Sequence, residues 1–138
     1  MKQNTEIKIE QQLNKKKTLV FALIDSENIN MKNIDKFTNS LVNCGVSAIL
    51  VGGSTILDQL EIHQLVKSIK KNINIPIILF PGNVNGITPE ADAIFFSSLL
   101  NSLSTYFIIE AQMLGAAAIH KYNLETIPMG YLIIGDGG

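Results

Sequence analysis

An α/β fold on a parallel sheet is predicted for this chain, and three features of the sequence predict it. Short apolar runs without polar alternation recur along the chain, as strands covered on both faces require. Amphipathic helical patterns separate most of them. Glycine, proline and short polar residues collect just after the runs, at the sheet end where such folds hold their ligands. This alternation leaves two architectures, an open doubly wound sheet or part of a (β/α)8 barrel. A full barrel takes about 250 residues. A chain of 138 residues reaches only about the fifth strand.

Residues 1–17 are polar, with Ile7, Ile9 and Leu13 as apolar points, and read as a tail or a short amphipathic helix under the domain that occupies residues 18–138. The run Lys15-Lys16-Lys17 reads as a solvated face. Thr18 to Ile24 is the first strand, expected to be buried on both faces, and Asp25 follows at once. A carboxylate at the end of a buried strand is costly unless it caps a helix, pairs with a cation or holds a metal. Asp25-Ser26-Glu27-Asn28 is therefore either a chemical site or a capping cluster for the helix Met31 to Cys44, whose inner residues are Ile34, Phe37, Leu41 and Val42. Gly45 stops that helix, and Cys44 is expected in the core.

Ala48-Ile49-Leu50-Val51 is the second strand, and it runs into Gly52-Gly53-Ser54-Thr55. The glycines permit positive φ and close backbone approach to a ligand, while Ser54 and Thr55 place hydroxyls beside free helix amides. The stretch reads either as an anion or metal-phosphate site or as a tight strand-to-helix turn capped by Ser54 or Thr55. The helix Asp58 to Lys71 then buries Leu60, Ile62, Leu65, Val66 and Ile69, with His63 at its margin.

Ile75 to Phe80 is the third strand. Residues 81–90 hold two prolines and two glycines, so an irregular segment is predicted where a helix belongs. Ala91 to Phe96 makes the fourth strand and Ser97 to Ser104 a polar loop. Thr105 to Lys121 is the next helix, with Tyr106, Ile109, Met113, Leu114 and Ala117 as its inner stripe, and Tyr131 to Ile134 is the fifth strand.

A hydrophobic content of 46% suffices for one packed domain. The net charge of −1 gives no general reason to bind nucleic acid or anionic lipid. One cysteine forms no intramolecular disulfide, and with two separated histidines it makes no zinc cluster. No apolar run approaches the roughly 18 residues that a membrane span needs, and no signal-peptide core opens the chain. A cytoplasmic protein without a transmembrane segment is expected.

Several long stretches in order resemble geranylgeranylglyceryl phosphate synthase. They are Leu23 to Asp25, Ile49 to Thr55, Pro76 to Ile87, Ala91 to Ser102, Tyr106 to Ile108, Gln112 to Ala116 and Ile127 to Leu132. The resemblance covers nearly everything after Thr18. It implies a modified (β/α)8 barrel, cut after about the fifth strand, whose third helix is replaced by an irregular segment. The implied activity transfers geranylgeranyl from geranylgeranyl diphosphate to the 3-hydroxyl of sn-glycerol 1-phosphate, the first ether bond of archaeal membrane lipids. Heptaprenylglyceryl phosphate synthase, or a noncatalytic phosphate-binding α/β module, are the alternatives. The resemblance further implies Mg²⁺ held by Asp25 and Ser54, diphosphate beside Gly52, Gly53 and Thr55, and a prenyl path along Pro81, Gly82, Asn83 and Tyr106. A full-length protein of this kind is expected to be a homo-oligomer.

Two departures stand out. Ser26-Glu27-Asn28 replaces a proline, an acidic residue and a lysine found in many relatives, leaving Lys32 as the nearby cation. The later Tyr-Leu-Glu-Ala-Gly-Ser-Gly-like motif, whose acidic residue is the implied acceptor of the hydroxyl proton, does not occur in this sequence. The 138 residues alone are expected to hold the metal and diphosphate half of a site and to turn over little or nothing.

Overall fold

The computed structural model describes residues 4–53 and 58–135. Its elements are α1 (Thr5–Lys16), β1 (Phe21–Asp25), α2 (Ile34–Asn43), β2 (Ala48–Gly53), α3 (Gln59–Lys70), β3 (Ile77–Pro81), β4 (Ala93–Leu99), α4 (Ala111–Tyr122) and β5 (Glu125–Tyr131). Short 3₁₀ turns lie at Ser26–Asn28, Met31–Asn33 and Val84–Gly86, and a π-turn at Tyr106–Glu110 leads into α4. All strand pairings are parallel, in the order β1-β2-β3-β4-β5.

That order decides between the two architectures. A doubly wound sheet reverses its strand order at a switch point, whereas a barrel adds each strand beside the last. The burial agrees. Ile24, Ile49, Val51, Ile77, Leu79 and Ile94 form one core with residues of α2, α3, α4 and the irregular segment. Register partners share a face, and on the other face Ala48, Ile78, Ala93 and Ile127 form a smaller core with Ile9 of α1. The helices that follow strands cover one face only, so the sheet is part of a (β/α)8 barrel with α1 under its amino-terminal end.

α3 is the most firmly seated helix. Asp58 caps it by accepting from the Leu60 amide (2.8 Å), and Ile62, Leu65, Val66 and Ile69 are all buried. Each such side chain contributes roughly 1.5–3 kcal/mol by burial. Leu60, expected inside, is exposed, because it lies in the first turn beside the cap. α2 ends at Gly45, whose φ of +86° suits glycine. Thr38, not Phe37, takes the inner place on α2, its hydroxyl donating to the Ile34 carbonyl (2.9 Å), and Cys44, expected in the core, is exposed as the residue that caps the helix end.

α1 buries only Thr5 and is held differently. The carboxylate of Glu125, at the start of β5, accepts from the amides of Asn4 (3.0 Å), Thr5 (2.8 Å) and Glu6 (3.0 Å). Burial raises the pKa of this carboxyl, but the amides of Glu6, Thr5 and Asn4 together outweigh burial and hold it below its ordinary value.

Three strands differ from expectation. β1, at the sheet's edge, is not buried on both faces: Leu23 is 58% exposed, and Val20 just before the strand is 59% exposed. β4 extends to Leu99, so Ser97 and Ser98 are strand residues. β5 starts at Glu125 rather than Tyr131, and it passes through Pro128 as the last strand of the sheet, where a missing ladder donor is tolerated. The irregular segment is present as expected, with one 3₁₀ turn in place of a helix. It is tied to α3 through Gln59 Nε2 donating to the Ile87 carbonyl (2.6 Å) and His63 Nδ1 beside Thr88 Oγ1 (3.2 Å). His63 also lies 3.7 Å from Glu90, an acidic partner that this segment supplies from outside the helix.

Candidate functional site

The carboxyl ends of the strands converge on one rim. Asp25 closes β1 and pairs in register with Gly52, Gly52 pairs with Phe80, and Gly53 pairs with Pro81. Gly82 extends this junction by donating its amide to the Gly53 carbonyl (3.2 Å). Asp25, Gly52 and Phe80 therefore share the sheet face opposite α2–α4, at the same level. Asp25 is partly buried, and its Oδ2 accepts from Asn28 Nδ2 (2.9 Å), a side-chain bond within the 3₁₀ turn.

The structure thus brings together Asp25, Gly52, Gly53, Pro81 and Gly82. Ser54 and Thr55 lie outside the described residues. Asn83 sits one step beyond the rim, where its side chain accepts from the Asn85 amide (2.9 Å) and caps the following 3₁₀ turn. Tyr106 opens the π-turn after β4, half-buried, with its ring edge-on to Phe107 at 5.1 Å. Gly52 has a structural reason of its own: a Cβ there would strike the carbonyl oxygen of Phe80 on the neighbouring strand.

Other rim features escaped the sequence reading. Phe80 packs edge-on against Phe95 (5.8 Å) and Tyr131 (5.6 Å), joining β3, β4 and β5 across the inner face. Burial pushes the Tyr131 hydroxyl pKa up, so it stays neutral. Asn101 clamps the chain after β5, donating to the Ile133 carbonyl (2.7 Å) and accepting from the Ile133 amide (3.2 Å). Its signal in the sequence was only a lone amide in a polar stretch. On the opposite face a small groove runs from Pro81 between Val84, Ile87 and Gly115, with Gln112 in its wall.

Among the described residues no group of three or more His, Cys, Asp or Glu side chains is able to hold a metal ion. The chemistry of a rim carboxylate, that of Asp25, is compatible with a hard cation such as Mg²⁺, which keeps several waters and is commonly bound through one or two carboxylates plus substrate phosphates. Among the described residues no helix is long and apolar enough to cross a membrane.

The sequence pattern of the PcrB family matches residues 11–138. The chain belongs to the PcrB family. It is 55% identical over 129 residues to the geranylgeranylglyceryl phosphate synthase of Nitrosopumilus maritimus, an alignment covering 94% of this chain and 52% of that protein. To the synthase of Cenarchaeum symbiosum it is 51% identical over 132 residues, covering 96% and 53%. The wild-type GGGPS of Thermoplasma volcanium superposes with a TM-score of 0.85 at 37% identity, covering 94% of this chain and 53% of that one. The (S)-3-O-geranylgeranylglyceryl phosphate synthase of Thermoplasma acidophilum, solved with its substrate sn-glycerol-1-phosphate, also gives 0.85, at 32% identity and the same coverage. This PcrB-family chain spans about half the length of the curated relatives it matches. Its five strands and their helices are the part of the synthase barrel that the superposition covers.

Proposed function

We propose that the chain supplies the metal- and diphosphate-binding half of an Mg²⁺-dependent phosphoglycerol geranylgeranyltransferase. In the whole protein the bond from the donor's C1 to its diphosphate oxygen breaks, and the pyrophosphate leaves with the electron pair. The 3-hydroxyl oxygen of sn-glycerol 1-phosphate bonds to C1 and loses its proton to an acceptor outside these 138 residues. The reading is supported above all by 55% identity through nearly the whole chain to a synthase of that name. The register that sets Asp25 beside Gly52 at one rim supports it independently.

Asp25 and the Ser54 hydroxyl are the ligands proposed for the ion. When bound, Mg²⁺ would neutralise charge on the departing diphosphate. The backbone at Gly53 and Gly82 gives the diphosphate an approach free of side chains. Pro81, Asn83 and Tyr106 border the path of the prenyl chain, and Thr55 offers a further hydroxyl. A cytoplasmic location and a homo-oligomeric whole protein belong to the same reading, and the single cysteine suits a reducing compartment.

A chimaera tests the proposal. Residues 1–138 replace the matching segment of the Nitrosopumilus maritimus synthase, and ether product is measured with geranylgeranyl diphosphate, heptaprenyl diphosphate, sn-glycerol 1-phosphate and Mg²⁺. Transfer of geranylgeranyl is expected, falling at least about a hundredfold in Asp25→Ala, as loss of a charge-stabilising group commonly does. Full turnover by the Asp25→Ala chimaera would reject the role given to Asp25.

A further inference from the structure

The chain between β4 and α4 departs from regular helical geometry. Tyr106–Glu110 form a π-turn, closed where the Ala111 amide donates to the Tyr106 carbonyl. Such turns are rare and frequently lie at functional sites. Thr105 Oγ1 donates to Glu110 Oε1 (2.6 Å) across this one, and two further side chains tie it to β4. Ser98 Oγ donates to the Ile108 carbonyl (2.5 Å), and Gln112 Nε2 donates to the same carbonyl (3.1 Å) and also to the Ser97 carbonyl. Gln112 is thus a strut between the rim end of β4 and the turn. Its Oε1 is buried and has no hydrogen-bond partner among the described residues. A buried acceptor left so costs free energy, and an apolar side chain of similar size would avoid that cost. The donor end of Gln112 is what this position requires.

The same residue stands in the wall of the groove that starts at Pro81. Val84 and Ile87 face it from the irregular segment, and Gly115 lies one turn further along α4. The groove is about 50 Å³ in volume. That is comparable to the share of one or two waters, at about 30 Å³ each. A twenty-carbon chain is several times larger, so its entry depends on how far the π-turn and the irregular segment are able to part. We infer that Gln112 and Ser98 are positioning residues: by fixing the π-turn they set the width of this groove, and with it the fit of the donor's prenyl chain. Neither touches the reacting atoms. The choice of ligand rests on the proposed function, whereas the strut itself does not.

The test keeps the two apart. Amide hydrogen exchange and ligand binding are measured on the whole chain and on Ser98→Ala, Ser98→Thr and Gln112→Glu, the last keeping the shape of glutamine while withdrawing its donors. The Ala111 amide is expected to exchange about tenfold faster in Ser98→Ala, the effect of roughly one lost hydrogen bond, at least that much faster in Gln112→Glu, which loses two and sets a carboxylate against both carbonyls, and at the wild-type rate in Ser98→Thr. With Mg²⁺ present, affinity for geranylgeranyl diphosphate is expected to fall about tenfold in the two loosened variants while that for inorganic diphosphate stays level. A merely structural role would lower both together. Unchanged Ala111 exchange, equal losses for the two ligands, or a wild-type chain that binds both equally well would overturn the inference. A wild-type chain that binds neither would overturn the diphosphate site of the proposed function, and the exchange rates would then still decide the strut. Should Gln112→Glu fail to fold, the contrast between Ser98→Ala and Ser98→Thr decides.

Discussion

Glu125→Gln removes a carboxylate shared by three consecutive amides of the amino-terminal segment. Glutamine keeps one acceptor oxygen and turns an NH₂ toward donors, so Oε1 or Oε2, each of which accepts from two amides, is lost. Hydrogen bonds to charged groups contribute about 1.5–3 kcal/mol each. Loss of a helix cap costs about 0.5–2 kcal/mol. These overlap at one site, and the substitution is expected to destabilise the docking of α1 by about 2–3 kcal/mol at neutral pH. That is enough to free the helix, since Thr5 is its one buried residue. The pH dependence has a definite sign. The folded-state pKa is lowered, so the stabilisation is complete above the ordinary carboxylate value and is lost as pH falls through the depressed folded value. Urea unfolding of both proteins from neutral to acid pH, with amide exchange along α1, measures this. The gap between wild type and variant is expected to close in acid. A gap constant with pH, or α1 amides equally protected in both, would refute the reasoning.

Other substitutions probe the rim and its supports. Gly52→Ala places a methyl against the Phe80 carbonyl oxygen, a backbone atom with little freedom to yield, and is expected to cost at least about 1–3 kcal/mol by urea midpoint. Lys70→Met breaks a pair with Asp92 (2.9 Å) between side chains 45% and 33% exposed, so solvent screening keeps its effect under about 1 kcal/mol. Asp92→Ala also frees the Ile77 amide (2.9 Å) and is expected to cost more, about 1–2 kcal/mol in the same assay. Thr38→Val removes a buried hydroxyl bonded to the Ile34 carbonyl and is expected to cost about 1 kcal/mol, while Phe37→Ala on the exposed side costs less.

The order of elements was legible in the sequence because unbroken apolar runs such as Ile49-Leu50-Val51 and Ile77-Ile78-Leu79 have no other place than a covered sheet. The irregular segment was legible from its prolines and glycines. What failed depended on neighbours. The fifth strand was expected only from Tyr131, and Glu125 and Pro128 become strand residues through the amides of α1 and a position in the last strand. The inner stripe expected through Tyr106, Ile109, Met113, Leu114 and Ala117 is exposed at all but the half-buried Tyr106; Gly115 and Ile119 are buried instead, Gly115 lying so close against Ile87 of the irregular segment that a Cβ there would force the Ile87 side chain to shift. Of the site, Asp25 and the Gly52-Gly53 pair stood out because polar and glycine residues after a buried strand are costly without a use. Gln112 and Ser98 did not, since their partners are backbone carbonyls that no side-chain pattern reveals.

The proposed site depends on a divalent ion shared by Asp25 and the end of β2. Mn²⁺, another cation suited to oxygen ligands, broadens NMR signals near where it binds. Titrated into the labelled chain with inorganic diphosphate, it is expected to broaden the amides of Asp25, Gly52 and Gly53, to leave Glu125 at the far end of the sheet sharp, and to lose this selectivity in Asp25→Ala. Broadening centred on the amino-terminal ends of the strands, or a pattern unchanged by Asp25→Ala, would contradict it.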